Sequence, residues 1–423
     1  MSDACLAPQG TKRLQPVIDF CIPSQGLKGS ASPSSTLNSK VINFTKAAGT
    51  GTQDITGFGF TPKFYYLITN GNTAANTVAT HAVFCLGFSD GTNSHCVSNT
   101  SQDGVTDTKA RRFADSNSVV NIRNIGSPAS ATCVGDHSAF LADGVRINWT
   151  AGSINPEFSI VAFGGDITVD ITTHTTPTAT GVQSYATSMD TADMVMLISA
   201  ATTPEDTVKE DASISIGFGT ATDQGVTAVG ADDAVSTSNT HRYQRTNNIF
   251  ASIVESAGTI EEEAALDAIT STGFDLDFTT ADGTARDFYA ISFKGGQWQV
   301  GSGTTPTTAT TKAFATSFEP KFLALVSRNS GVATTVAADT YLHMGWSDGT
   351  TEACVAIHDN DLVATSDAAR QIRDDMCFWC FNNTVSSLEE GTVDSFNPTD
   401  FTINMTKAHA SAREFIWFVC GDG

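Results

Sequence analysis

The sequence predicts an all-β protein: three tandem β-sandwich domains, jelly-roll-like in type, behind a short extended N-terminal arm. Three observations lead to this fold class. Turn-forming residues are interspersed with alternating apolar residues along most of the 423-residue chain, a composition typical of sandwiches and barrels. Sequence motifs recur at a spacing of 128–130 residues. No stretch keeps a helical period of apolar residues over more than about ten residues.

The repeat is visible in short motifs. The tripeptide PKF at residues 62–64 returns at residues 320–322, an offset of 258. The same offset carries GFSDG at residues 87–91 onto GWSDG at residues 345–349. The related GFGT at residues 217–220 lies between them, at offsets of 130 and 128. Because separate motifs share one register, the chain contains three copies of one domain.

The repeat also sets the boundaries of an arm and three domains. They are residues 1–40, 41–166, 167–296 and 297–423. Thr- and Pro-rich stretches around residues 172–180 and 301–311 mark the junctions. The arm is rich in Pro, Ser and Gly and has one short apolar island at residues 17–22, so it is not expected to fold alone. It could pack along a neighbouring subunit or remain a loose terminus.

Two strands of each copy follow from the pattern of apolar residues. Near the end of each copy, apolar and polar residues alternate, which predicts a strand with one buried face and one solvent-exposed face. The alternating apolar residues are Val145, Ile147 and Trp149, then Phe274, Leu276 and Phe278, then Phe401, Ile403 and Met405. Each copy closes on an apolar strand that ends in glycine, at residues 158–164, 288–295 and 415–421. Residues 261–269 contain good helix formers but align with non-helical sequence in the other copies, so no helix is expected there.

Composition excludes several classes of function. There are 23 Lys and Arg against 45 Asp and Glu, a net charge of −22, and an acidic surface repels nucleic acid. No apolar run approaches the length of a membrane span, and the N-terminus has no signal-peptide core, so neither membrane insertion nor secretion is expected. The nine cysteines are odd in number and absent from the middle domain, which predicts mostly free thiols in a reducing cytoplasm.

Two motifs resemble catalytic or metal sites. Ser89 and Ser347 lie in G-x-S-x-G, which in hydrolases presents a nucleophilic serine on a strand-to-helix turn. Here no helical pattern follows, the middle copy has Gly219 in place of the serine, and Asp-Gly between apolar runs indicates a hairpin. Cys377 and Cys380 lack both the second ligand pair of a zinc site and the helix of a redox motif, so they are expected to be buried thiols.

Arginine is the residue that the repeat singles out. Arg112, Arg242 and Arg370 align, and they are taken here as the only charged residues shared by all three copies. The arginine fork suits carboxylates and backbone carbonyls. An ion pair within each domain, locking a loop onto the sandwich, is the simpler interpretation, and a contact between domains or subunits is the alternative. The eight histidines do not repeat, and no catalytic, cofactor-binding or metal-binding residue is predicted.

Three signatures together resemble a known domain. They are an opening G-F-x-P-K, a G-x-x-D-G turn and a D-G-F-x-[LI]-[ND]-[WF]-T strand, the last at residues 143–150, 273–279 and, less closely, 400–406. From about residue 55 to residue 423 the chain resembles a repeated domain of structural proteins of tailed bacteriophages and prophages, although the middle copy lacks the Pro-Lys and Asp-Gly elements. This resemblance implies a virion structural protein without catalytic residues.

These observations predict a structural, non-enzymatic component of a tailed-phage virion, exposed on the particle surface and assembled in the host bacterial cytoplasm. Three homologous domains could form a pseudo-threefold ring, which suits a capsid decoration protein, or a string of domains. A tail accessory or adsorption protein is the alternative. Expected partners are other virion proteins or further copies of the chain, with no nucleic acid, no membrane and no cofactor.

A carbohydrate-binding adhesin that recognises a cell-surface glycan is a further alternative. It would use exposed aromatic residues such as Tyr65, Tyr66, Trp298 or Trp346. Most of these fall inside predicted strands, which favours packing in the core instead. A hydrolase would rest on Ser89 and Ser347 alone.

Overall fold

A computed structural model of the chain describes residues 35–127, 129–254, 258–381 and 386–423. The described part consists of strands and connecting turns, with no helix, so the all-β prediction is confirmed. Most of the predicted N-terminal arm lies outside the described residues. The first strand already begins at Leu37, inside the range assigned to the arm.

Each of the three repeats contributes eleven strands. The first repeat has β1 (Leu37–Thr45), β2 (Gly51–Thr56), β3 (Pro62–Thr69), β4 (Ala79–Thr80), β5 (Ala82–Ser89), β6 (Ser94–Ser101), β7 (Ala110–Asp115), β8 (Val120–Arg123), β9 (Ala131–Leu141), β10 (Gly144–Gly152) and β11 (Glu157–Gly165). The second has β12 (Thr168–Thr175), β13 (Gly181–Ala186), β14 (Met194–Ser199), β15 (Lys209–Glu210), β16 (Ala212–Gly219), β17 (Gln224–Ala231), β18 (Thr240–Arg245), β19 (Phe250–Ser252), β20 (Glu262–Thr270), β21 (Gly273–Thr280) and β22 (Asp287–Lys294). The third has β23 (Gln297–Thr304), β24 (Thr311–Ala315), β25 (Phe322–Ser327), β26 (Ala337–Ala338), β27 (Thr340–Ser347), β28 (Glu352–Asp359), β29 (Ala368–Arg373), β30 (Phe378–Phe381), β31 (Ser387–Asn397), β32 (Asp400–Lys407) and β33 (Glu414–Gly421).

In every repeat these strands form a larger and a smaller antiparallel sheet. In the first repeat the larger sheet has the order β1-β11-β3-β5-β6-β7, and the smaller one has the order β2-β10-β9-β8. The equivalent strands of the other repeats follow the same two orders. Side chains of both sheets meet in one apolar cluster, for example Tyr65 and Leu67 of β3 with Ile147 and Trp149 of β10. Each repeat is therefore a β-sandwich.

The alternating patterns of the sequence are strands with one buried face. In β10 the side chains of Val145, Ile147 and Trp149 are buried, and their polar neighbours are partly or fully exposed. The same alternation holds in β21 and β32. The segment with helix-forming residues is strand β20, paired with β21, so the register of the repeat overrides local helix propensity there.

The larger sheets are buried on both faces because the three repeats share a second core. In β3, Tyr65 and Leu67 point into the sandwich of the first repeat, whereas Phe64, Tyr66 and Ile68 join a cluster drawn from all three repeats. Ring pairs link the repeats within this cluster. Among them are Phe64 with Phe293 (5.2 Å between ring centroids), Phe163 with Phe322 (5.1 Å) and Phe218 with Phe418 (4.9 Å). The three larger sheets therefore face one another around a common centre.

The short fourth strand of each repeat pairs with a neighbouring repeat. Strand β15 of the second repeat extends the larger sheet of the first by pairing with β7. Likewise β26 of the third repeat pairs with β18 of the second, and β4 of the first repeat pairs with β29 of the third. This order is cyclic, so the three sandwiches form a closed pseudo-threefold ring and not a string.

Both ends of the described chain lie at one end of this ring. The Gly423 amide donates a hydrogen bond to the Ser35 carbonyl (3.0 Å). Gly296, which links the second repeat to the third, donates to Oγ of Ser35 (3.2 Å). Asp166, which links the first repeat to the second, donates to the Thr36 carbonyl (2.7 Å). The chain therefore enters and leaves the ring beside the two linkers.

Candidate functional site: the seams between the repeats

Three equivalent loops hold the ring together, and we call them the clasp loops. They connect β6 to β7, β17 to β18 and β28 to β29, and they comprise residues 102–109, 232–239 and 360–367. We call the contact between two successive repeats of the ring a seam. There are three of them: first to second, second to third, and third to first.

In every seam one hydroxyl group of a clasp loop binds the next clasp loop. This residue is Thr or Ser, and its Oγ donates to a backbone carbonyl while its backbone N–H and C=O make two further bonds of 2.8–3.0 Å. The hydroxyl pairs are Thr108 to Asp232 (2.8 Å), Ser238 to Asn360 (2.7 Å) and Ser366 to Gln102 (2.7 Å). Backbone N–H and C=O groups that are buried need hydrogen-bond partners, and the clasp loops provide these partners for each other.

A carboxylate completes each seam. One aspartate per clasp loop accepts a hydrogen bond from a backbone N–H at the start of the neighbouring edge strand, at 3.0 Å in all three seams. The pairs are Ala110 to Asp233, Thr240 to Asp361 and Ala368 to Asp103.

These aspartates correct the sequence analysis. Asp103, Asp233 and Asp361 are separated by the same offsets of 130 and 128 as the arginines, so the arginines are not the only charged residues shared by all copies. A short signal was present: each copy reads Asp-x-Val with Ser or Thr three residues after the Val. The signal is weak, because turn residues of this kind occur in any loop.

The aligned arginines lie on the edge strands that the neighbouring repeat covers. Arg112 of the first repeat donates from Nε to the Ala201 carbonyl (3.1 Å) and from Nη1 to the carbonyls of Glu210 and Asp211. These acceptors belong to the second repeat. The contact therefore crosses a seam, which differs from the ion pair within one domain that the sequence favoured.

Arg370 makes the equivalent contacts from the third repeat to the first. Its Nε donates to Oδ1 of Asn72 (2.9 Å), and its Nη1 donates to the carbonyls of Thr80 (2.6 Å) and His81 (3.2 Å). Arg242 occupies the same place in the remaining seam, on strand β18 beside β26. Burial lowers the pKa of Arg242, and the Asp339 carboxylate of the third repeat partly offsets this effect.

At Asp359 all three repeats meet. Its carboxylate accepts a hydrogen bond from the Ser101 hydroxyl of the first repeat, and its carbonyl accepts one from the Thr240 hydroxyl of the second (2.9 Å). Only 2% of Asp359 is exposed. Burial raises the pKa of this carboxyl to about 7, against the hydrogen bond from Ser101, which lowers it.

The two G-x-S-x-G motifs form hairpin turns. Asp90 and Asp348 each begin a tight turn between two antiparallel strands, and the serine before each, Ser89 or Ser347, accepts a hydrogen bond from the glycine N–H at 3.0 Å. The turn of the third repeat also belongs to a seam, since the Asp348 carboxylate accepts a bond from the Val41 amide of the first repeat (2.9 Å).

The cysteines and aromatic residues are core residues. Every cysteine of the described part is free and buried, including Cys377 and Cys380. Tyr65, Tyr66 and Trp346 are fully buried, so they cannot stack on a sugar. Trp298 is partly buried and packs against the shared core. Within the described ranges no group of three or more His, Cys, Asp or Glu side chains is placed to hold a metal ion.

Comparison of the chain with models of protein families, with curated proteins and with solved structures finds no match. Among the described residues there is no helix long and apolar enough to span a membrane.

Proposed function

We propose that this protein is a structural, non-enzymatic component of a tailed-phage virion, exposed on the particle surface as a capsid decoration protein. The closed pseudo-threefold ring is the observation that carries the proposal. A single chain that presents three equivalent sandwiches around one axis matches a binding position of threefold symmetry, where one copy replaces a three-chain ring.

The position of the chain ends supports the same function. Ser35, the residue that follows the N-terminal segment in the chain, lies next to Gly423 and the two linkers, at one end of the pseudo-threefold axis. We propose that this segment contacts the neighbouring virion subunit. The opposite end of the strands, where the clasp loops lie, then faces away from the particle.

Mass spectrometry and electron cryomicroscopy of purified particles test the proposal. We expect the protein among the particle proteins, with density at local threefold positions of the capsid shell. Density on the tail would instead support the tail accessory or adsorption protein. Absence of the protein from the particles would overturn the virion proposal altogether.

The contribution of the N-terminal segment is tested separately. A protein that lacks residues 1–34 retains every residue of the ring, and we expect it to bind particles at least tenfold more weakly. The full-length protein with the exposed Arg146→Gln change serves as control and should bind normally. Full occupancy by the truncated protein would contradict the role of the segment while leaving the location on the particle untouched.

A further inference from the structure

A cavity of about 510 Å³ lies in the seam between the first and third repeats. Its volume is in the range of small-molecule sites. Part of its lining is aliphatic, with Val83, Ile122, Ile125 and Ile154. Ile125 and Ile154 are only partly buried, so apolar surface remains for a ligand to cover. Within the described ranges no Asp or Glu lines the cavity.

The third repeat fills the equivalent place with larger side chains. Tyr341 stands at the position of Val83, and Arg413 stands at that of Pro156. Arg413 donates from Nη1 to the Asn329 carbonyl (3.2 Å), and both residues line the remaining cavity, which measures about 310 Å³. The wider cavity of the first repeat therefore results from residue types that the third repeat does not share.

Arg370 lines the wider cavity as a cation without an acidic neighbour. In the other two seams the equivalent arginine has a carboxylate of the next repeat beside it. These pairs are Arg112 with Asp211 (3.9 Å) and Arg242 with Asp339. The residue equivalent to the two aspartates is His81 in this seam. Burial lowers the pKa of Arg370 to about 10, and no carboxylate of the described part counteracts this effect.

His81 keeps the backbone contact of these aspartates without their charge. Its Nδ1 accepts a hydrogen bond from the Asp103 amide at 2.9 Å. The carboxylates of Asp211 and Asp339 accept the equivalent bonds at 2.8 and 2.9 Å. Burial and the charge of Arg370 lower the pKa of His81, so the ring is neutral at pH 7. The Asp103 carboxylate opposes this shift but does not line the cavity.

The guanidinium of Arg370 is held in place and keeps one nitrogen available. Nε donates to Oδ1 of Asn72, and Nη1 donates to the carbonyls of Thr80 and His81. Nη2 makes no hydrogen bond within the part of the chain that the structure describes. Because no nitrogen of this side chain is both buried and unpaired, Nη2 is accessible. It can therefore donate to a ligand in the cavity.

We propose that this cavity binds an organic monocarboxylate with an apolar body, with the carboxylate on Nη2 of Arg370 and the body on the aliphatic lining. The ligand supplies the charge that Asp211 and Asp339 supply in the other seams, and hydrogen bonds between ionised groups are stronger than neutral ones. The aliphatic side chains offer no hydrogen-bond partners, so they suit an alkyl or phenyl group. The site does not depend on where the protein lies on a particle.

Isothermal titration of the full chain tests the proposal with four probes: phenylacetate, hexanoate, phenylacetamide and acetate. Phenylacetamide has the apolar body without the charge, and acetate has the charge without the body. We expect at least one of the two larger acids to bind, and phenylacetamide and acetate to bind at least tenfold more weakly. If neither larger acid binds, the proposal is overturned. It is also overturned if phenylacetamide or acetate binds as tightly as the larger acids.

Two matched variants locate the site. His81→Asp places in this seam the carboxylate that the other seams already have, at a residue with φ of +67°, close to the +61° and +64° of Asp211 and Asp339. We expect this variant to fold with an unchanged or higher melting temperature and to bind the acids at least tenfold more weakly. His81→Asn also keeps an acceptor for the Asp103 amide but adds no charge, and it should bind within threefold of the wild type.

Unaltered binding by His81→Asp would refute the assignment to this cavity. An equal loss of binding in both variants would refute the role of charge, because only one of them introduces a carboxylate. The melting temperatures of the two variants show whether each is folded under the conditions of the titration.

Discussion

Nη1 of Arg370 donates a hydrogen bond of 2.6 Å to the carbonyl oxygen of Thr80, 290 positions earlier in the chain. This contact joins the last repeat to the first and belongs to the seam that closes the ring. The other two seams join repeats that the chain also connects covalently. Because no chain segment links these two repeats directly, non-covalent contacts keep the third repeat on the first, among them this hydrogen bond, the Lys40–Asp348 ion pair and the shared core.

Arg112→Gln is expected to lower the free energy of unfolding by about 2–4 kcal/mol. Arg112 is 7% exposed, and its guanidinium donates to three carbonyls of the next repeat. Hydrogen bonds of charged groups contribute about 1.5–3 kcal/mol each. Urea denaturation followed by tryptophan fluorescence measures the change. The control is Arg146→Gln, whose ion pair with Asp54 is about two-fifths exposed and screened by water, so this change should affect stability far less. Equal effects of the two changes would contradict a role for Arg112 in the seam.

The aspartate of the clasp loop acts as a hydrogen-bond acceptor, so its oxygen matters more than its charge. Oδ1 of Asp361 accepts the Thr240 amide at 3.0 Å across the seam. Asp361→Ala leaves this N–H without its partner and should cost about 1–3 kcal/mol. Asp361→Asn retains an amide oxygen and should recover more than half of the loss. Thermal denaturation of the two variants makes the comparison, and equal melting temperatures would exclude the acceptor role.

We expect the stability of the folded ring to depend on pH through the carboxyl group of Asp359. Its folded-state pKa of about 7 lies above the ordinary value for an aspartate, so the folded protein holds a proton that the unfolded chain releases. The contribution of this group to stability is fully present below about pH 4 and is lost as pH rises toward 7. Wild-type stability should therefore fall across this window more steeply than that of Asp359→Asn, whose carbonyl oxygen can still accept from Ser101.

The measurement is the urea midpoint of both proteins at pH 5 and pH 8. Glu262 and Glu352 also have pKa values raised to about 7 by burial, and they contribute the same slope to both proteins. The difference between the two slopes therefore isolates Asp359. Parallel pH profiles would show that Asp359 is ionised in the folded ring.

Much of the fold could be predicted from the sequence, because each strand occurs in three homologous copies that can be compared. The alternation around Ile147 recurs around Leu276 and Ile403, and the helix-forming residues of β20 occur in one copy only. Comparing copies therefore removes local ambiguity. The hairpins at Ser89 and Ser347 follow from the Asp-Gly turn for the same reason.

The seams could not be predicted in the same way. Their acceptors are mostly backbone carbonyls, such as those of Thr80 and Asp232. Because every residue has a backbone carbonyl, the residue type does not indicate which carbonyl will accept a hydrogen bond. The strands that close the ring, such as β4, have two residues each, which is too short for a periodic pattern. The sequence shows that His81 stands where the other repeats have Asp211 and Asp339, but it does not show that Arg370 lies next to His81.

Gly217→Ala should prevent the second sandwich from closing. A Cβ atom at Gly217 would lie 1.8 Å from the carbonyl oxygen of Ile249, the residue just before strand β19 of the facing sheet. Because this oxygen belongs to the backbone, no side-chain rotation relieves the contact. Gly87 and Gly345 make the same close approach in the other repeats, at 1.6 and 1.7 Å. We expect insoluble protein, or a loss of more than about 4 kcal/mol. The control is Gly283→Ala, where a Cβ atom meets nothing within 4 Å, so it should change stability by less than about 1 kcal/mol. A soluble Gly217→Ala protein with the melting temperature of the wild type would contradict the packing of the two sheets described for this repeat.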